Sequence, residues 1–355
     1  MRRLVAAGVA IALLCAVAVG YTLYAVRRSD AAHQGRTLGV VAGRPDLAAG
    51  GAPRLAFKNT RSGSANGDLA TTALAEARGG VRQVADQRCE RVYAAGATVL
   101  CLAARGGAIA SYVALVLDPA LGQRARIALE GAPSRARLSA DGRLAAWTVF
   151  VTGDSYAGTA FSTRTSIYDT RTGGYVDSLE SFTAYLNGAV YRQTDVNYWG
   201  VTFAADDDTF YATLGSQGRT YLVRGSLSRR AVWAVASNVE CPSLSPDGTR
   251  LVYKKRVSDD PRAPWRFYLM NLAPIRPLTP SQLAAGHLLD GQLTERPLAE
   301  TRSVDDQAAW LDAHTVMYGV PTADGAGSDV WSVPADGSGR PTLLVSGASS
   351  PVRLG

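Results

Sequence analysis

Two segments of the chain repeat one alternation of apolar and polar positions. They are Leu138-Ser139-Ala140-Asp141-Gly142-Arg143-Leu144-Ala145-Ala146-Trp147 and Leu244-Ser245-Pro246-Asp247-Gly248-Thr249-Arg250-Leu251-Val252-Tyr253. In each, a strand-like approach meets a polar turn and apolar residues resume at once. Pro246 presets φ for the turn, Asp141 and Asp247 can bond their own backbone, and Gly142 and Gly248 accept the left-handed conformation that closes a hairpin. Looser copies keep the register at Phe203-Ala204-Ala205-Asp206-Asp207-Asp208-Thr209-Phe210-Tyr211, at Trp310-Leu311-Asp312-Ala313-His314-Thr315-Val316-Met317-Tyr318 and around Gly96. Residues 53–57 read as the second half of a first copy.

Each copy is followed by a further β-prone run, at 69–74, 111–117, 165–169, 220–224, 266–272 and 329–333. The unit is therefore a small antiparallel sheet. The turn positions Gly96, Gly142, Asp207, Gly248 and His314 are 46, 65, 41 and 66 residues apart. The short spacings suit a four-stranded propeller blade, and the long ones leave room for insertions of about 20 residues. A blade has two faces and cannot bury both alone, so radial packing in a ring supplies the missing burial. Six blades fit the length. The pattern predicts an all-β, six-bladed propeller over residues 37–355, with the apolar stretch 37–41 pairing beside 342–345 to close the ring.

Ahead of the repeats lies a different pattern. Residues 4–26 are 23 consecutive positions without a charge, about 34 Å long as a helix, against a hydrocarbon core of about 30 Å. This predicts one N-terminal transmembrane or signal-anchor helix within residues 1–28, followed by a linker over 29–36. A short basic start and an immediate apolar run are how exported chains begin. The expected placement is thus a single-pass membrane protein, held through residues 4–26, with its C-terminal domain extracytoplasmic. The alternative is secretion after cleavage near Ala16-Val17-Ala18. Cys15 invites a lipoprotein reading, but Leu14 stands where that signal needs a small residue.

Composition narrows the chemistry. Hydrophobic residues make up 47% of the 355 residues and charged ones 19%, which suits a folded body. The formal charge of +7 is spread as scattered arginines, with no basic run, finger or reading helix, so nucleic acid is not an expected partner. The three histidines, His33, His287 and His314, show no metal-ligand spacing. Gly153-Asp154-Ser155-Tyr156-Ala157 only approximates a nucleophile elbow. The aspartate runs 206–208, 259–260 and 305–306 lack the alternation of a calcium loop. No catalytic residue, metal or cofactor is expected. Cys89 and Cys101 lie symmetrically about the turn at Ala95-Gly96, where a cross-strand disulfide fits; Cys241 has no evident partner.

There are two long insertions: residues 281–303 are polar with Leu288, Leu289 and Leu293, and residues 178–198 carry Tyr185, Asn187, Tyr191, Arg192, Asp195 and Tyr198. A polar, aromatic loop on a propeller rim is a natural place for recognition, and these six are the expected ligand- or partner-binding residues. The Leu-Ser-Pro-Asp-Gly-Thr-Arg-Leu-Val-Tyr segment, with its partner at 138–147, resembles the blade motif of the TolB-like six-bladed propellers over roughly residues 54–345. That resemblance implies recognition of envelope proteins. The chain departs from the family in its N-terminal apolar run and in lacking a separate α/β domain before the first blade. Related propellers are also fused to serine peptidases, whose catalytic module has no counterpart here. The expected function is a membrane-anchored, non-enzymatic protein-binding module of the cell envelope. The alternatives are an envelope glycan or small-ligand binder, and a lyase or hydrolase working in the central channel.

Overall fold

The computed structural model describes residues 50–106, 110–151 and 162–355, together with 14, 20, 21, 40–43, 45, 47 and 48. Among these residues the chain forms six sheets, four of them four-stranded, one five-stranded and one six-stranded. Five sheets lead with an inner strand that comes first in its own blade: Arg91–Ala95, Ala132–Leu138, Asn197–Phe203, Glu240–Leu244 and Ala309–Trp310. Those inner strands stand side by side around a central axis. The apolar clusters fall between neighbouring sheets, as radial packing requires: Leu100, Leu102 and Ala114 meet Leu138, Ala145 and Trp147, while Leu55, Phe57 and Ala70 meet Met317, Val330 and Val345. The all-β, six-bladed propeller is what the alternation predicts.

The repeat turns work by the expected chemistry. In both clear copies the aspartate accepts from the serine two residues earlier: Ser139 Oγ donates to Asp141 at 2.6 Å and Ser245 Oγ to Asp247 at 2.5 Å. The same carboxylates accept the N–H of Arg143 and Thr249. The serine oxygen in turn accepts the N–H of Leu144 or Arg250, so each turn is tied at both ends. Gly142 sits at φ +78°, and a Cβ there would lie 2.4 Å from the carbonyl oxygen of Ala95 in the neighbouring turn. Gly142→Ala is therefore expected to cost at least about 1–2 kcal/mol for the left-handed conformation alone, read as a lowered urea midpoint. An unchanged midpoint would show that Gly142 does not hold the left-handed conformation against the neighbouring turn.

Ring closure differs from the expectation. The strand Val40–Ala42 does not reach residues 342–345; it pairs in parallel with Arg82, Gln83 and Val84 at the outer edge of the first blade. The ring is closed instead by the last strand, Ala348–Leu354, which pairs antiparallel with Arg54–Asn59 and forms the inner strand of the first blade. Pro351 argues against a central strand by its missing donor, but the register shifts between Ala56 and Lys58, and Ser350 there takes φ +54°. The bulge accommodates the proline where no ladder bond is needed. Ser350 then bridges blades, its hydroxyl engaging both the N–H and the carbonyl of Val92.

The membrane expectations are corrected. Among the described residues no helix is long and apolar enough to cross a membrane. A crossing needs about 20 helical residues, whereas the α-helix Pro280–Ala285 has 6. Of the run 4–26 the structure describes only Leu14, Gly20 and Tyr21, and the linker over 29–36 lies outside the described residues altogether. The N-terminal anchor helix, the membrane partner and the single-pass placement built on them therefore have no spanning helix among the described residues to support them.

Both long insertions fold onto blades. Thr183–Leu186 and Ala189–Tyr191 form a hairpin that extends the fourth blade, Thr183–Leu186 running parallel to Ala231–Ser237. The second insertion supplies Pro280–Ala285, capped by Thr279 and Gln282, and the outer strand Glu295–Pro297 of the fifth blade.

Candidate functional site

The inner strands end, at their turn side, around a hollow of about 600 Å³ on the axis. Its wall is built from the repeat turns themselves. Residues 94–96, 204–206 and 244–248 form the lip, and Tyr93, Phe203, Tyr211 and Trp310 supply rings. Four arginines line it: Arg137 from the third inner strand, Arg224 from the fourth blade, Arg276 from the loop after Trp265–Asn271, and Arg353 from the closing strand. Because these come from four parts of the chain, only closure of the ring assembles them.

Their bonding is unusual for charged groups. Arg137 donates to Tyr93 Oη and the Ala308 carbonyl, both at 3.0 Å. Arg353 donates to the Leu311 carbonyl at 2.8 Å. Arg224 donates to the carbonyls of Ile275 and Leu278 at 3.1 and 2.9 Å, which pins the loop that carries Arg276. Burial pushes the Tyr211 phenol up, and the nearby Arg224 and Arg276 charges work against that shift. The phenol thus stays protonated.

Below the hollow the axis is shut by ion pairs. Arg91 meets Asp306 at 3.2 Å, Arg135 meets Asp305 at 3.1 Å, and Lys254 meets Asp305 at 2.7 Å with Glu240 at 3.7 Å. Gln307 Nε2 donates to the carbonyls of Val201 and Pro242, stitching two inner strands across the centre. A small cavity of about 20 Å³ lies among Arg91, Arg135, Arg137 and Gln307, room for one water at most. A second hollow of about 380 Å³, with Lys58, Glu90 and Pro321 in its wall, opens on the far side. The first hollow is thus a blind funnel.

Burial would raise the Asp305 carboxyl, but Lys254, Arg135 and Arg91 outweigh it and hold the group below its ordinary value. A depressed carboxylate stabilises the fold above its unfolded pKa, about 3.9, and that contribution is lost as pH falls through the lower folded value. Stability is therefore expected to fall as pH drops below about 5. Asp305→Asn should lower the urea midpoint at neutral pH and flatten this acid slope. A slope identical to that of the parent protein would remove Asp305 from the plug.

The structure separates the six residues expected from the insertion. Tyr191, Arg192 and Tyr198 line a separate hollow of about 400 Å³ walled by residues of 180–198, which shares no residue with the axial one. Tyr198 is 1% exposed and largely core. Tyr185 faces the opposite side of the hairpin and stacks on Trp233 at 6.3 Å. Asn187 lies at the hairpin turn, at φ +52°, and Asp195 is spent on Ser216 Oγ and the Gln217 N–H. The funnel arginines were missed because nothing in their spacing marks them; the one available signal was Trp310 beside a repeat turn.

Cys89 and Cys101 are joined, with Cα atoms 5.4 Å apart, and Cys241 is free and buried. Among the described residues no group of three or more His, Cys, Asp and Glu side chains is placed to hold a metal ion. The acids of the funnel, Asp206 and Asp247, are bound into their own turns. Gly153, Asp154 and Ser155 lie outside the described residues.

No protein-family model and no curated protein matches the chain. Among solved structures, TolB from Acinetobacter baumannii superposes with a TM-score of 0.54 and 15% identity, over 87% of this chain and 67% of its own. The fold resembles that of the TolB-like six-bladed propellers. A putative TolB from Agrobacterium tumefaciens matches at a TM-score of 0.47 and 12% identity over 84% of this chain and 91% of its own. A puromycin-hydrolyzing peptidase from Mycobacterium tuberculosis matches at 0.44 and 14%, over 82% of this chain but only 43% of the peptidase. At such identities the TolB-like likeness is one of fold.

Proposed function

We propose that this TolB-like propeller is a protein-binding module, and that an extended segment of the partner enters the axial funnel. The observation that carries this reading is the blind funnel itself: about 600 Å³ of concave space, open at one end, edged by rings and turn backbone and stopped by the ion-pair plug. A volume in the range of about 300–1,000 Å³ suits a few side chains or a small ligand. The turn backbone and aromatic rings suit a peptide. A closed floor favours docking over passage. The funnel carboxylates already serve their turns, which leaves binding rather than acid–base chemistry as its use.

A photo-crosslinking side chain placed at Ala204, on the funnel wall, tests this in the native cell. A discrete protein adduct is expected there and not from the same group at Thr172, on an outer turn. Adducts from Thr172 alone, or none from Ala204, would overturn the reading.

A further inference from the structure

The funnel's charge says more about its occupant than its shape does. Of the side chains that line it, four are guanidinium groups and two are carboxylates. The carboxylates are not available to the guanidiniums. Asp206 accepts from the Thr209 N–H and hydroxyl, both at 2.7 Å, and Asp247 accepts from Ser245 and Thr249 and pairs with Arg250. No lining arginine has a carboxylate within 4 Å among the described residues; Arg137, Arg224 and Arg353 bond only neutral oxygens. Arg276 is exposed, and among the described residues its side chain makes no hydrogen bond or ion pair.

An arginine that faces a concave, partly dehydrated site without a counter-ion is a standing attraction for an anion, since charge-assisted bonds there are about twice as strong as neutral ones. Planar guanidinium forks fit carboxylates in particular. We infer that the segment taken by the funnel is acidic, its Asp or Glu carboxylates meeting Arg276, Arg353 and Arg224 while an apolar side chain lies against Trp310 and Phe203. This rests on the docking reading above and adds the chemistry of the partner to it. The loop held by Arg224 sets Arg276 at the rim, where it meets the incoming carboxylate first; Arg353 stands deeper.

Three fluorescein-labelled peptides of one Gly/Ser/Phe scaffold, with Glu, Gln or Lys at the same positions, provide the test by fluorescence anisotropy against the whole protein. The Glu peptide is expected to bind at least about tenfold more tightly than the Gln peptide, and the Lys peptide not at all. The preference should shrink as salt is raised from about 50 to about 300 mM. Arg276→Glu should remove most of it with an unchanged melting temperature, and Arg276→Lys should keep part. Equal binding of the Glu and Gln peptides, tighter binding of the Lys peptide, an undiminished preference in Arg276→Glu, or no binding of any peptide would overturn the inference. The docking reading is judged separately, by the adduct at Ala204, so that a neutral or basic partner crosslinked there would sink the charge claim alone.

Discussion

Deleting residues 348–355 is expected to abolish cooperative folding. The lost strand pairs five residues with Arg54–Asn59 and buries Val352 and Leu354 at 4% exposure each. Burying two such side chains is worth about 1.5–3 kcal/mol apiece, and ladder hydrogen bonds add about 1 kcal/mol each. Together these approach the whole stability of a typical domain, about 5–15 kcal/mol. The deletion also opens the ring, exposing the edge of Arg54–Asn59 and one wall of the funnel, an invitation to aggregation. The expected result is loss of the sharp thermal transition and of soluble yield. A truncated protein that melts like the parent would mean that the ring does not close through this strand.

Arg82→Met is expected to give the next largest loss. Arg82 is 1% exposed, stacks over the Phe57 ring at 5.0 Å, and donates to Asn59 Oδ1 at 2.9 Å and to the carbonyls of Gly347 and Ser346 at 2.7 and 2.6 Å. It therefore clasps the turn that leads into the closing strand. Burial pushes its guanidinium down to about 9, the cost of placing a charge there, and three acceptors with one aromatic face offset that cost. Methionine fills much of the space but offers no donor. Leaving buried acceptors unpaired costs about 1–3 kcal/mol each, so a loss of about 3–5 kcal/mol follows by chemical denaturation. Because the clasp acts on closure, hydrogen exchange should quicken first in 346–354. A loss below about 1 kcal/mol, or exchange that quickens elsewhere first, would contradict this role.

The blades were legible because their turns carry chemistry in the sequence. Ser139 with Asp141, and Ser245 with Asp247, make the same bonds in both copies, and positive φ falls on Gly142 and Gly248 as the motif requires. Degenerate copies survive because other residues take the strained place: Asp207 adopts φ +54° while Asp206 bonds the turn. Closure was not legible. Pro351 disguises the last strand, and Val40–Ala42 has the apolar character of a closing strand but pairs at the opposite edge. Local pattern does not choose between two strands that each fit a sheet edge.

The site was harder to read for a related reason. Tyr185 and Tyr191 are close in sequence, yet they fall on opposite sides of one hairpin. Arg137 and Arg353 are far apart in the chain, yet they line one funnel. A loop rich in polar aromatics announces itself in sequence, whereas a site assembled by ring closure has no local signature.

The most direct test of closure is a covalent one. Lys58 and Ser349 are register partners on the first and last strands of the ring; cross-strand Cα atoms lie about 4.5–5.5 Å apart, within the span of a disulfide. In the Lys58→Cys/Ser349→Cys protein, mild oxidation of the folded state should join the two positions, seen by mass spectrometry as one linked pair of tryptic peptides. Absence of that link under conditions that form the Cys89–Cys101 bond would show that the chain's last strand lies elsewhere and that the funnel is not built as described.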